Sequence, residues 1–98
     1  MLIEIPQEKI RENIPRLMRR LGYQRLVDRR TGREGYIRRL SAGFYPRFHA
    51  HLELKESGGL ILDLHFENYK PMHKRGTSRV ENEGEVLEQE VSRIANLL

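Results

Sequence analysis

The stretch from Phe48 to Glu67, FHAHLELKESGGLILDLHFE, decides the fold of this 98-residue chain. Apolar and polar residues alternate along both of its halves, and the segment Glu-Ser-Gly-Gly at residues 56–59 separates them. Period-two alternation on both sides of a glycine-containing turn predicts a β-hairpin with one apolar and one polar face. A three-residue loop, Ser57–Gly59, would pair Glu56 with Leu60 and keep both apolar rows on the same face.

Two kinds of element precede this hairpin. Apolar residues at helical spacing predict a helix over residues 10–21. Pro15 either kinks this helix or lies in the first turn of a shorter helix that Asn13 caps. Residues 23–28 and 35–41 predict two further strands, joined by a charged turn that contains a glycine.

The C-terminal third of the chain predicts a loop and a helix. Residues 70–83 form a long polar stretch, and from Gly84 onward apolar residues again recur at helical spacing. The predicted order is therefore α-β-β-β-β-α, in one domain that spans residues 1–98. An antiparallel sheet of this two-layer α+β class is expected to pack its apolar face on both helices and to leave a polar face open.

The open polar face of the hairpin carries the first candidate site. In the predicted register His51 lies opposite His65, and His49 lies opposite Glu67. Such a cluster could hold a divalent metal ion such as zinc or manganese, with His49, His51, His65 and Glu67 as ligands. The alternative is a solvated sheet face with ordinary cross-strand pairs. A histidine beside a carboxylate could also act as a general base in hydrolysis, although the sequence identifies no catalytic residue.

The front half of the chain is strongly basic. Residues 1–47 contain twelve lysine and arginine residues and five acidic ones, a net charge of +7, whereas residues 48–98 have a net charge of −3. Fourteen of the eighteen basic residues are arginine, whose planar guanidinium donates two hydrogen bonds at once to a phosphate. This asymmetry favours an anionic partner, with RNA or DNA as the first candidate. The candidate contact residues are Arg16, Arg19, Arg20, Arg29, Arg30, Arg33, Arg38 and Arg39.

These observations support three hypotheses of function. The leading one is a non-enzymatic domain, without a cofactor, whose first helix and charged turn bind nucleic acid, because the open face offers acids instead of paired aromatic residues. The alternative is the metal site on the open face. A third is a protein-interaction or homodimer module that uses the sheet face or an exposed strand edge. A solvated basic surface, or one that meets an acidic protein, would explain the arginines equally well.

Composition excludes several other classes. The chain has no cysteine, so disulfides, thiolate metal ligands and a cysteine nucleophile are excluded. No apolar run approaches the roughly 18–20 residues of a membrane span. The first residues also lack the long apolar stretch of a signal peptide. We therefore expect a cytoplasmic protein that does not contact the membrane.

Two resemblances follow from these residues. The stretches RFHAHL at residues 47–52 and LDLHFE at residues 62–67, followed by Lys70 and Pro71, resemble small uncharacterised bacterial proteins without an assigned activity. The element order is similar to the double-stranded-RNA-binding fold of the HicA-type toxins, which cleave messenger RNA. The Gly-Ser-His motif of those toxins does not occur here and the fourth predicted strand is additional, so this resemblance implies an architecture and no catalytic residue.

Overall fold

The structure is a computed structural model that describes residues 1–68 and 83–98. Within these ranges the chain forms five strands, two α-helices and one 3₁₀ turn at Gln7–Lys9. In chain order the strands and helices are β1 (Leu2–Ile5), α1 (Ile14–Arg20), β2 (Gln24–Val27), β3 (Glu34–Arg39), β4 (Arg47–Leu54), β5 (Leu60–Glu67) and α2 (Glu83–Leu97). The loop predicted at residues 70–83 lies outside the described residues, except for Glu83, where α2 begins. No helix in the described ranges is long and apolar enough to cross a membrane.

The five strands form one antiparallel sheet in the order β1-β5-β4-β3-β2. The predicted α+β class is confirmed, and so are both hairpins and the C-terminal helix. Strand β1 was not predicted; it pairs with β5 at one edge of the sheet. Four residues are too few for alternation to be distinctive, and the partner strand lies almost sixty residues away in the chain.

Both helices pack against the same face of the sheet. Leu17 of α1 and Ile94 of α2 are fully buried, as are Leu62 and Leu64 of β5 and Ala50 of β4. These strand residues belong to the apolar rows that the alternation identified. The polar rows of β4 and β5 therefore lie on the opposite, uncovered face, as predicted.

Asn13 caps the first helix, which was one of the two alternatives predicted from the sequence. The side chain of Asn13 accepts a hydrogen bond of 3.0 Å from the backbone N–H of Arg16, and Pro15 lies in the first turn. Proline is tolerated there because its missing N–H has no partner within a helix. Ile10 lies outside the helix and packs against the core from the preceding segment.

The predicted register of β4 and β5 was wrong by two residues. His49 lies opposite His65, and His51 lies opposite Asp63. The predicted pairs His51–His65 and His49–Glu67 are therefore not directly opposed. A slip of two residues keeps every side chain on its predicted face, since the side-chain period of a strand is two.

The loop of this hairpin explains the register. It is Glu56–Gly58, closed by a hydrogen bond of 2.9 Å from the Lys55 N–H to the Gly59 carbonyl. Gly58 has a φ of +95°, the left-handed conformation that the last position of a three-residue hairpin loop requires. The predicted loop, Ser57–Gly59, placed Gly59 at this last position, whereas in the structure Gly58 occupies it.

A buried carboxylate joins α2 to the sheet. Glu90 is 3% exposed and accepts hydrogen bonds from the Tyr23 hydroxyl at 2.6 Å, from Arg38 at 3.1 Å and from Arg93 at 2.9 Å. Burial, together with the adjacent carboxylate, raises the pKa of Tyr23, so its hydroxyl remains a donor. Arg38 therefore has a structural partner on the helix-covered side of the sheet.

Candidate functional site

A cleft of about 630 Å³ lies between the open face of the sheet and the turn that joins β2 to β3. We call it the open-face cleft. Its polar lining includes Arg30 and Arg33 on the turn, His49 and His51 on β4, and Glu67 on β5. The other polar residues that line it are Asp28, Thr31, Glu34 and Arg47. Thus the charged turn and the histidine-bearing strand, which the sequence analysis treated as two separate sites, line one cavity. Its size falls in the range typical of small-ligand sites.

The turn is held by its own hydrogen bonds. The Asp28 N–H donates to the Arg33 carbonyl at 2.9 Å, and the Gly32 N–H donates to the Asp28 carbonyl at 2.7 Å. Gly32 has a φ of +73°, which only glycine adopts without strain. The Asp28 carboxylate accepts a hydrogen bond from the Arg30 N–H at 2.8 Å, and this bond lowers the pKa of Asp28. The backbone of the turn is therefore fixed while its arginine side chains stay exposed.

Glu67 is bound by two partners. The Arg47 Nε donates to one carboxylate oxygen at 2.6 Å, and the His49 Nδ1 lies 3.0 Å from the other. Burial by itself raises the pKa of Glu67, but the hydrogen bonds from His49 and Arg47 outweigh it and lower the pKa to about 2. An ionised carboxylate only accepts hydrogen bonds, so Nδ1 of His49 carries the proton and donates it.

The ring of His49 lies across β3 because residue 35 is glycine. A Cβ atom at Gly35 would be 2.7 Å from the His49 Nε2, far inside contact distance. Nδ1 is bound to Glu67 on β5, so Nε2 is directed to the opposite side, where Gly35 lines the open-face cleft. A carboxylate that binds Nδ1 in this way fixes the ring orientation and tautomer of the histidine, and here Nε2 packs against Gly35.

His51 is adjacent and electrostatically distinct. Its ring centroid lies 4.5 Å from that of His49 and 6.0 Å from that of His65. Burial lowers the pKa of His51, and His49 and Arg33 lower it further, against a smaller opposing effect of Asp63. The imidazole of His51 is therefore neutral at physiological pH.

Each acidic residue that lines the cleft has an ion-pair or hydrogen-bond partner within the protein. Glu67 is paired with Arg47, and Glu34 is paired with Arg25 on the neighbouring strand. Asp28 accepts hydrogen bonds from the backbone of its own turn. By contrast, the guanidinium groups of Arg30 and Arg33 make no hydrogen bond or ion pair within residues 1–68 and 83–98. Backbone N–H groups do not neutralise the charge of Asp28, so the charges of Arg30, Arg33 and Asp28 leave the cleft with a net charge of +1.

The eight arginines predicted as nucleic-acid contacts lie in different places. Arg16, Arg19 and Arg20 lie on α1, on the helix-covered side of the sheet, where they line a separate shallow depression with Glu12. Arg20 donates to Glu12 at 2.9 Å. The helix and the charged turn, which were expected to act together, are therefore on opposite sides of the sheet.

Of the remaining five, Arg38 is bound to Glu90 on the helix-covered side, and the other four lie on the turn or at the end of β3. Arg29, Arg30 and Arg33 belong to the turn, and Arg39 lies at the end of β3 with its guanidinium 5.5 Å from the centre of the Phe44 ring. Arg47 was not among the predicted residues, and its guanidinium lies 4.4 Å from the centre of the Tyr45 ring. The signal that could have identified the cleft is Gly35, because an isolated glycine in a strand often marks a close approach.

The four residues predicted as metal ligands are neighbours but are not arranged around one point. Glu67 is bound to Arg47 and His49, and the Nε2 of His65 lies 3.4 Å from Asp63. Among the residues that the structure describes, no group of three or more histidine and carboxylate side chains is placed to hold a metal ion. The closest approach of imidazoles is that of His49 and His51.

No protein-family model, curated protein or solved structure matches the chain. The function is therefore inferred from the residues of this chain alone.

Proposed function

We propose that this chain is a nucleic-acid-binding domain that holds the phosphates of RNA or DNA at the open-face cleft. The observation that carries the proposal is that Arg30 and Arg33, whose guanidinium groups have no partner within the described residues, line one cavity together with two imidazoles. Arg29 on the turn and Arg39 at the end of β3 are also exposed and add to the positive charge near the cleft. Guanidinium groups suit phosphates because their planar fork donates two parallel hydrogen bonds.

The mode of binding follows from the kind of contact. Phosphate contacts fix the position of a nucleic acid and carry no sequence information by themselves. Within residues 1–68 and 83–98, the open face carries no row of phenylalanine, tyrosine or tryptophan side chains on which successive bases could stack. Binding should therefore depend weakly on sequence and strongly on salt, because each phosphate contact releases counterions.

The test compares two double variants with the same change of charge. Arg30→Gln/Arg33→Gln removes two cations from the cleft, and the matched control Arg16→Gln/Arg19→Gln removes two from α1. Long-range attraction falls similarly in both, so a difference between them reports direct contact. Affinity for a labelled single-stranded oligonucleotide is measured over a series of salt concentrations.

We expect the cleft variant to bind at least about tenfold more weakly than the wild type. The slope of its plot of log affinity against log salt concentration should be shallower by roughly 1.4, the effect of two lost contacts to a single strand. The control should change by less than about threefold. Equal losses in the two variants, or no binding by the wild type at low salt, would remove the proposal.

Binding of a divalent metal such as zinc or manganese is a second candidate, favoured by the proximity of three imidazoles. Ring centres lie 4.5 Å apart for His49 and His51, and 6.0 Å apart for His51 and His65. Saturating Zn²⁺ should then raise the melting temperature, and less so at lower pH, because protons compete for the ring nitrogens. His51→Ala and His65→Ala should each abolish the rise. An unchanged melting temperature in the wild type eliminates this candidate.

A further inference from the structure

The loop that joins β3 to β4, residues 40–46, carries an aromatic side chain that packing does not explain. Phe44 is 64% exposed, whereas the other phenylalanine and tyrosine side chains within residues 1–68 and 83–98 are buried or half-buried. A single exposed apolar residue is common on protein surfaces. What distinguishes Phe44 is the positive charge beside its ring and its position next to the open-face cleft.

Hydrogen bonds within the loop hold its backbone. The Leu40 N–H donates to the Pro46 carbonyl at 3.0 Å, and the Ser41 hydroxyl donates to the Tyr45 carbonyl at 3.3 Å. The loop therefore presents the Phe44 ring from a defined position. A contact that is already in place costs little conformational entropy when a ligand binds to it.

Two arginines place the aromatic rings of the loop beside the open face. Arg39 lies directly opposite Arg47 in the register of β3 and β4, so both side chains lie on the same face of the sheet. Arg47 binds Glu67, which identifies this face as the open one. The guanidinium of Arg47 lies 4.4 Å from the centre of the Tyr45 ring. The guanidinium of Arg39 lies 5.5 Å from the centre of the Phe44 ring.

The exposed ring and the cleft are neighbours. Tyr45 and Arg47 belong to the lining of the open-face cleft, and Phe44 precedes Tyr45 in the chain. Arg39 makes no hydrogen bond or ion pair through its guanidinium within the part of the chain that the structure describes. The ring therefore lies between an uncompensated positive charge and the cleft that we propose for phosphates. A nucleotide has the matching parts, a flat base and a phosphate attached through a sugar.

We propose that Phe44 stacks on one base of a single-stranded nucleic acid whose phosphates lie at the open-face cleft. The proposal rests on the proposed function and specifies its ligand as a single strand. A single strand can turn a base outward onto an aromatic ring, whereas the bases of a duplex stay stacked on one another. One ring serves one base, so this contact needs no row of aromatic residues. Every base has a flat face, so stacking adds affinity without adding sequence specificity.

Charge favours a nucleotide over an apolar protein surface as the occupant. Residues 40–46 contain no charged side chain, and arginines lie against both aromatic rings of the loop. An apolar surface that covered Phe44 would also cover the guanidinium of Arg39 without giving its charge a partner, which is costly. A nucleotide brings a phosphate together with its base.

The experiment measures the binding of three labelled ligands of equal length by fluorescence anisotropy over a series of salt concentrations. They are a single-stranded oligonucleotide, an abasic strand with the same phosphates and no bases, and a duplex. Phe44→Leu removes the ring and keeps an apolar side chain, whereas Phe44→Tyr keeps a ring. Leu54→Ala is the matched control, because Leu54 is 68% exposed at the opposite end of β4. Circular dichroism verifies that each variant is folded.

We expect Phe44→Leu to bind the single strand on the order of tenfold more weakly than the wild type, the effect of one lost stacking contact. The loss should be the same at every salt concentration, because no phosphate contact is removed. The abasic strand and the duplex should bind this variant and the wild type equally. Phe44→Tyr and Leu54→Ala should each bind the single strand within about threefold of the wild type.

The outcomes separate the two proposals. Unchanged affinity of Phe44→Leu for the single strand, with binding still weakened by Arg30→Gln/Arg33→Gln, would overturn the stacking contact and leave nucleic-acid binding at the cleft in place. An equal loss with the abasic strand would also overturn stacking, because the ring would then act without a base. Absence of binding of all three ligands to the wild type at low salt would overturn both proposals.

Discussion

The carboxylate of Glu90 is the buried centre of a network that ties α2 to the sheet, and Glu90→Ala should lower the free energy of unfolding by about 3 kcal/mol. Removal of one partner from a buried charged network typically costs about 3–5 kcal/mol. The lower end applies because the side chains of Arg38 and Arg93 are 27% and 30% exposed, so water can replace their lost contacts. Tyr23 is 3% exposed, and its hydroxyl would remain buried without a partner.

Urea unfolding followed by circular dichroism measures this change. The midpoint should fall while the slope with urea stays constant, because the surface exposed on unfolding is nearly the same. Glu88→Ala is the matched control, since Glu88 is exposed on the same helix, and it should cost less than about 0.5 kcal/mol. A loss below about 1 kcal/mol for Glu90→Ala, or a loss equal to that of the control, would refute the reasoning.

Three further predictions concern the cleft and the first helix. The pKa of Glu67 is lowered from 4.5 to about 2, so its contribution to stability is present above about pH 4.5 and is lost as the pH falls toward 2. Glu67→Gln should therefore destabilise the protein by about 2 kcal/mol at neutral pH and by almost nothing near pH 2. Urea unfolding of the wild type and the variant over that pH range measures the difference. A difference that does not depend on pH would contradict this prediction. Gly35→Ala should displace the His49 ring, break its hydrogen bond to Glu67 and cost about 1 kcal/mol, seen as a changed histidine NMR resonance; an unchanged resonance would show that the ring does not depend on the glycine. Asn13→Ala removes the cap of α1 and should cost about 1 kcal/mol, whereas Asn13→Asp, which keeps the acceptor, should cost far less.

The faces of the central hairpin were predictable, and its register was not. Alternation from Phe48 to Glu67 determines the face on which each residue lies. The buried residues Phe48, Ala50, Leu60, Leu62 and Leu64 belong to the predicted apolar rows, whereas Leu54, at the end of β4, is exposed. Two adjacent glycines, Gly58 and Gly59, could each adopt the left-handed conformation of the loop, and the two choices differ by two residues in register. Both registers bury the same apolar rows, so periodicity cannot distinguish them.

The cleft was not predictable as a unit. The arginine turn and the histidine strand were both recognised as separate features. The sequence signal of their proximity is the isolated Gly35 of β3, and a glycine in a strand does not by itself indicate which side chain lies against it. Arg38 illustrates the same limit, because composition groups it with the other arginines while packing pairs it with Glu90, more than fifty residues away. Sequence patterns report the face and the charge of a residue, and long-range packing determines its partner.

A titration of the isotope-labelled protein with a single-stranded oligonucleotide, followed by NMR of arginine and histidine side chains, tests the central claim most directly. The account predicts shifts at Arg30, Arg33, His49 and His51 that saturate together, with Arg16 on α1 unaffected as the internal control. Shifts confined to the α1 arginines, with the cleft resonances unchanged at saturation, would contradict it.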